Sequence, residues 1–138
     1  MTPSPHHAHP IARYMTPSPH SIGSEQPLLV AHRMMKEHAI RHLPVLEGGK
    51  LVGVLSQRDL YLTEAIEPID TRTVRVEEAM TQDAYVVGPE ALLESVASTM
   101  AERKLGCAVV MEGPKVTGVF TTIDALRAIV HLLAKPQS

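Results

Sequence analysis

Apolar residues recur in the same order twice along the chain. In the first copy Leu28, Ala31 and Met35 fall at i, i+3 and i+7, which puts them on one face of a helix. Pro27 suits a first-turn position of that helix. Two short apolar runs follow, Leu43 to Leu46 and Leu51 to Leu55, on either side of Gly48-Gly49. Glycines tolerate the positive φ of a two-residue hairpin turn, so the runs read as paired strands. In the second copy Leu93, Val96 and Met100 repeat the helical face, and Ala108 to Met111 and Val116 to Phe120 flank Gly113-Pro114, a turn that starts with glycine. A short extended piece precedes each first helix, at His20 to Ile22 and at Tyr85 to Val87. A second helix begins near Ser56 and near Thr121. Leu126, Ile129, Val130 and Leu133 mark one face of the later one, and the earlier one stops before Pro68.

The copies align without gaps at an offset of 65 residues. Met15 meets Met80, Thr16 meets Thr81, Gly23 meets Gly88, Gly53 meets Gly118 and Asp59 meets Asp124. Such register marks an internal repeat. Each copy predicts β-α-β-β-α: parallel strands around a crossover helix, then an antiparallel hairpin. The boundaries expected are a disordered tail at 1–11, repeats at 12–66 and 74–134, a linker at 67–73 and a short tail at 135–138. One repeat of about 50 residues leaves much apolar surface exposed. The expected fold is therefore α/β in the mixed α+β sense, with two repeats packed through their sheets about a pseudo-twofold axis and a cleft along that axis.

Composition narrows the function. With 138 residues, a formal charge of −2 and interspersed acids and bases, no basic stripe suggests nucleic acid. The core must be aliphatic, since there is no Trp, one Phe and three Tyr. Cys107 is the single cysteine, which fits a reducing compartment. No apolar run of membrane-spanning length and no signal-peptide core is seen, so a cytoplasmic location is expected and no membrane contact. The first ten residues hold three prolines and His6, His7 and His9. These histidines suit either a divalent metal or a solvated tail, and the lack of a nearby acid or cysteine favours the tail. Met-Thr-Pro-Ser-Pro-His occurs at Met1 to His6 and again at Met15 to His20. Cys107 reads as a small core residue, Met34-Met35 as packing, and His32 and His38 as surface groups. No nucleophile–base pair, metal cluster or phosphate-binding loop is present, so no enzyme is expected.

The chemistry concentrates at two junctions, Ser56-Gln57-Arg58-Asp59 and Thr121-Thr122-Ile123-Asp124. A hydroxyl with a carboxylate three residues on, where a helix starts, forms a capping box and needs no ligand. The same carboxylate suits the two cis hydroxyls of a ribose, and the helix amides suit a phosphate. Cations near the first junction are Arg41, His42 and Arg58; Gly106, Cys107 and Ile123 take their places at the second. That difference predicts a better polyanion site near Asp59 and a weaker, neutral-ligand or empty one near Asp124, unless a cation crosses over from the other copy.

Both copies resemble the cystathionine-β-synthase (CBS) motif, and together they resemble a tandem CBS pair, or Bateman module. The residues that carry the resemblance are IRHLPVLEGGKLVGVLSQRDL and KLGCAVVMEGPKVTGVFTTIDAL, with MTPSPHSIG and MTQDAYVVG leading them. The resemblance implies that Asp59 and Asp124 hold ribose while Ser56 and Thr121 contact phosphate or ribose. It puts adenine walls at Ile22, Leu43 and Pro44 in the first copy, and at Val87, Ala108 and Val109 in the second. Sheet packing would use the same residues. His42 and Arg58 complete the first site. The function implied is a regulatory module that senses adenosine-containing ligands, such as AMP, ADP, ATP or S-adenosylmethionine, and signals to a partner protein. No permanent cofactor is required, and a flat homodimer is implied. The alternative is an interaction or scaffold pair with empty sites.

Overall fold

The computed structural model describes residues 8–66 and 68–134. His6, His7, the first Met-Thr-Pro-Ser-Pro-His copy, Glu67 of the expected linker and the 135–138 tail lie outside the described residues. In chain order the elements are a 3₁₀ turn (Ile11–Arg13), β1 (Thr16–Pro17), β2 (Ile22–Gly23), α1 (Leu28–His38), β3 (His42–Glu47), β4 (Lys50–Ser56), α2 (Gln57–Ile66), α3 (Val76–Ala79), β5 (Val86–Val87), α4 (Leu93–Arg103), β6 (Cys107–Glu112), β7 (Lys115–Thr121) and α5 (Thr122–Ala134). The architecture is mixed α+β.

The expected elements form for the expected reasons. Leu28, Ala31 and Met35 are the buried face of α1, and Leu93, Val96 and Met100 that of α4. Both helices stop on a left-handed residue, Ala39 at φ 52° and Lys104 at φ 58°, whose N–H turns back to the last carbonyls. Gly48 and Gly49, at φ 57° and 79°, make the β3–β4 turn. β2 runs parallel to β3, and β5 parallel to β6.

The chain divides into two compact units. The central unit is Pro19–Ala84; the split unit joins the residues up to Ser18 to those from Tyr85 onward. The central unit holds a β2-β3-β4 sheet and a core of Leu28, Met35, Leu43, Val45, Leu55, Leu60 and Val76. The split unit holds a β1-β7-β6-β5 sheet and a core of Ile11, Val96, Met100, Ala108, Val110 and Phe120.

Neither core is made from one sequence repeat. Val76, which aligns with Ile11, packs among first-repeat residues; Ile11 packs among second-repeat residues. The same three backbone hydrogen bonds secure each lead segment. In the split unit Ile11 N–H donates to Ala91 O (2.7 Å), Ala12 N–H to Pro89 O (3.0 Å) and Leu93 N–H to His9 O (2.8 Å). In the central unit Val76 N–H donates to Gln26 O (2.8 Å), Glu77 N–H to Ser24 O (3.0 Å) and Leu28 N–H to Val74 O (2.9 Å). The residues after each lead turn reach the hairpin. Thr16 pairs with Val119 in a short antiparallel ladder, and Thr81 bridges Val54.

This corrects the expected tail for the residues described. His9 to Ile11 are tied to the backbone before α4, and Ile11 is fully buried. One aliphatic side chain with a core slot and a row of backbone bonds overrides a polar, proline-rich composition. The α5 stripe also ends up differently from a core face. Asp124 and Ala128 are buried, whereas Leu126, Ile129, Val130 and Leu133 are exposed on the single chain.

Candidate functional site

Each candidate site begins where a hairpin strand runs into a helix. In the central unit Ser56 ends β4 and Asp59 lies in the first turn of α2. Ser56 N–H donates to Asp59 Oδ2 (2.9 Å) and Asp59 N–H donates to Ser56 Oγ (3.0 Å). The split unit repeats this. Thr121 N–H donates to Asp124 Oδ2 (2.9 Å), and Asp124 N–H donates to Thr121 Oγ1 (3.3 Å). The reciprocal capping box is thus formed at both junctions, which contributes roughly 1 kcal/mol to each helix start.

A third group reaches each carboxylate from the lead segment. Thr16 Oγ1 donates to Asp124 Oδ1 (3.0 Å), and Thr81 Oγ1 lies 3.4 Å from both oxygens of Asp59. Here the two units differ. Asp124 also accepts from Thr121 Oγ1 (3.1 Å) and is only 4% exposed, so both its oxygens are occupied. Asp59 is half-buried, with only long contacts to Oδ1. Its acceptor capacity is the greater of the two.

The helix amides are less free than the sequence implies. Gln57 N–H donates to Arg41 O (2.8 Å) and Thr122 N–H to Gly106 O (3.2 Å). With Asp59 and Asp124 amides bonded to their own caps, two leading donors of each helix are already used. A phosphate at this end would rely on the remaining first-turn amides and on side-chain cations.

His42 stands across the β3–β4 ladder from Ser56, and Cys107 across β6–β7 from Thr121. Burial pushes the His42 imidazole below its ordinary value; Asp59 opposes this and Arg41 adds to it. Burial, helped by the Asp124 charge, pushes the Cys107 thiol up to about 12. That thiol stays protonated at neutral pH, so it lacks the thiolate a nucleophile needs. Arg41 and Arg58 are exposed.

The expected adenine walls separate by sheet face. Ile22, Leu43 and Ala108 belong to the cores beneath the sheets, and Val87 packs against the split unit's core. Pro44 and Val109 alternate with them and project from the opposite faces, also buried. The geometry therefore groups Ser56, Asp59 and His42 at one junction, and Thr121, Asp124 and Cys107 at the other. Thr16 and Thr81 join the two junctions from the lead segments, outside the site residues the sequence motifs mark. The signal was present: each follows an aligned methionine, in register with the other.

A duplicated small α+β unit, with a capped carboxylate at each strand-to-helix junction, defines a tandem-repeat class of module. The chain belongs to the CBS domain family, whose model matches residues 11–63 and 76–131. It is 30% identical to a Vibrio cholerae protein assigned to acetoin utilization (AcuB), whose crystal structure superposes with a TM-score of 0.82 over 92% of this chain and 94% of that one. It is 33% identical over 83% of its length to an inosine-5'-monophosphate dehydrogenase from Korarchaeum cryptofilum, of which it spans only 23%. The structure of CBSX2 in complex with AMP aligns with a TM-score of 0.79 at 24% identity, over 91% of this chain and 99% of that one.

Proposed function

We propose that this chain is a regulatory module that binds an adenosine-containing nucleotide at Asp59 and passes the occupancy on to a partner protein. The observation that carries this reading is the unequal state of two equivalent carboxylates. Asp59 has unused acceptor capacity, and His42, Arg41 and Arg58 lie near it in the fold or the sequence. A ribose needs a carboxylate that accepts from two hydroxyls, and a phosphate needs cations. Asp124, enclosed by Thr16 and Thr121, takes a ligand only if the Thr16 hydroxyl lets go. AMP bound to CBSX2 supports the ligand class for a protein of this fold. S-adenosylmethionine is the variant of the reading that requires adenosine without phosphate.

The exposed apolar residues of α2 and α5 support a second element of the reading, a homodimer formed by those helices. A second copy of the chain would cover that apolar surface. No helix among the described residues is long and apolar enough to cross a membrane. The competing reading, an interaction module with empty sites, draws on the capping boxes, which give each carboxylate a helix-capping role without a ligand.

A thermal-shift panel of AMP, ATP, S-adenosylmethionine and adenosine separates the readings. A ligand held at 100 times its dissociation constant adds about 2.7 kcal/mol. The nucleotide reading expects AMP or ATP to raise the melting temperature most. A flat response across the panel supports the empty-site module.

A further inference from the structure

The split unit contains a cavity of ≈ 480 Å³ between the opening 3₁₀ turn and α5. Six of its lining residues matter: His9, Arg13 and Tyr14 from the lead segment, and Asp124, Arg127 and His131 from α5. The α5 residues recur at i, i+3 and i+7, so they share one helix face. Tyr14 organises the lead side. Its hydroxyl is hydrogen-bonded to His9 Nδ1 at 3.1 Å, and its ring meets those of His9 and His131 edge-on, with centroids 6.1 Å away in each case.

The charges are lopsided. Two guanidinium groups face one carboxylate, and that carboxylate is already bonded to Thr16 and Thr121. Arg127 sits 3.8 Å from Asp124 with its side chain three-quarters exposed, a weak pair. Among the described residues Arg13 makes no salt bridge. The duplication provides an internal comparison. The equivalent positions in the central unit are Val74, Glu78, Ala79, Leu62 and Ile66 around Asp59. The same local fold therefore forms there with no cation at any of these places, so packing does not require them.

We propose that this cavity is an anion site that takes a phosphate-bearing small molecule. Two guanidinium forks, imidazole N–H groups and a phenol match the oxygen array of a phosphate or pyrophosphate better than that of a neutral ligand. The volume falls in the range of about 300–1,000 Å³ usual for small-molecule sites. The assignment is independent of the nucleotide reading at Asp59: it uses residues of the other unit and requires no adenosine.

Calorimetric titration of the full chain with inorganic pyrophosphate at low salt tests it. Saturable one-to-one binding is expected. Arg13→Gln and Arg127→Gln should each weaken it by about tenfold or more, the size of one lost charged contact. Lys50→Gln, an exposed cation at the β3–β4 turn outside both junctions, should leave it unchanged. Both Arg13 and Arg127 are exposed, so circular dichroism melting should show the variants folded. Absence of saturable binding overturns the proposal. So does binding that survives both Arg13→Gln and Arg127→Gln, or that falls with Arg58→Gln, which would place pyrophosphate at the Asp59 junction. Because pyrophosphate carries no adenosine, its result stands whether or not AMP binds at Asp59.

Discussion

Two carboxylates with the same capping role end in different states because one hydroxyl is close and the other is not. Thr16 at 3.0 Å fills Asp124; Thr81 at 3.4 Å leaves Asp59 with spare capacity. The residues across the ladder respond to that environment. His42 is held below its ordinary imidazole value by burial, so the unfolded chain binds a proton more readily than the folded one. Stability rises with pH wherever the unfolded state binds more protons. The contribution of neutral His42 is therefore intact above its unfolded pKa of about 6.5 and is lost as pH falls below it, down to the lower folded value. Melting temperatures of wild type and His42→Gln should converge as pH falls from 7.5 towards 5, with the wild type losing more. Parallel pH profiles would remove the burial argument. The hydroxyl and carboxylate of each junction were legible because a capping box is local. The threonine partners were not, since they lie 22 and 108 residues away in sequence.

At the scale of elements, the glycine that interrupts each second hairpin strand has a specific cause. A Cβ on Gly53 would lie 2.6 Å from the Thr81 carbonyl oxygen and 2.9 Å from Met80 Sδ. A Cβ on Gly118 would collide with Met15 instead, a side chain with several rotatable bonds. Gly53→Ala must push against backbone, so it should cost about 1–3 kcal/mol, in the range of other overpacked sites. Gly118→Ala should cost less. Chemical denaturation of both variants checks the order, and equal small losses would show that the Met80–Thr81 segment moves aside freely. The strands, the first helices and the hairpins were all readable from spacing and turn residues. The lead turns were not. They are four residues or fewer, with too few apolar positions to show a period, and their partners come from the other repeat. The offset of 65 residues did contain the clue, since Met15 and Met80 align as well as the two glycines do.

For the whole molecule, the informative surface is the apolar one. Ile66 at 83% exposed, Val130 at 67% and Leu133 at 81% sit on α2 and α5, the helices that start at the two junctions. If these faces pair in a homodimer, Val130→Glu with Leu133→Glu should yield a folded monomer in sedimentation velocity where wild type is a dimer. A monomeric wild type at the same concentration would contradict the dimer. The duplicated fold and its family were open to a sequence reading because a tandem motif repeats its own spacing. The unequal carboxylates and the cationic cavity needed coordinates, because both arise from lead residues packed against a distant helix. The most direct test of the account is calorimetric titration of AMP into wild type, Asp59→Ala and Asp124→Ala. Saturable binding that is lost in Asp59→Ala and retained in Asp124→Ala is the predicted result. Equal affinity for wild type and Asp59→Ala would contradict it.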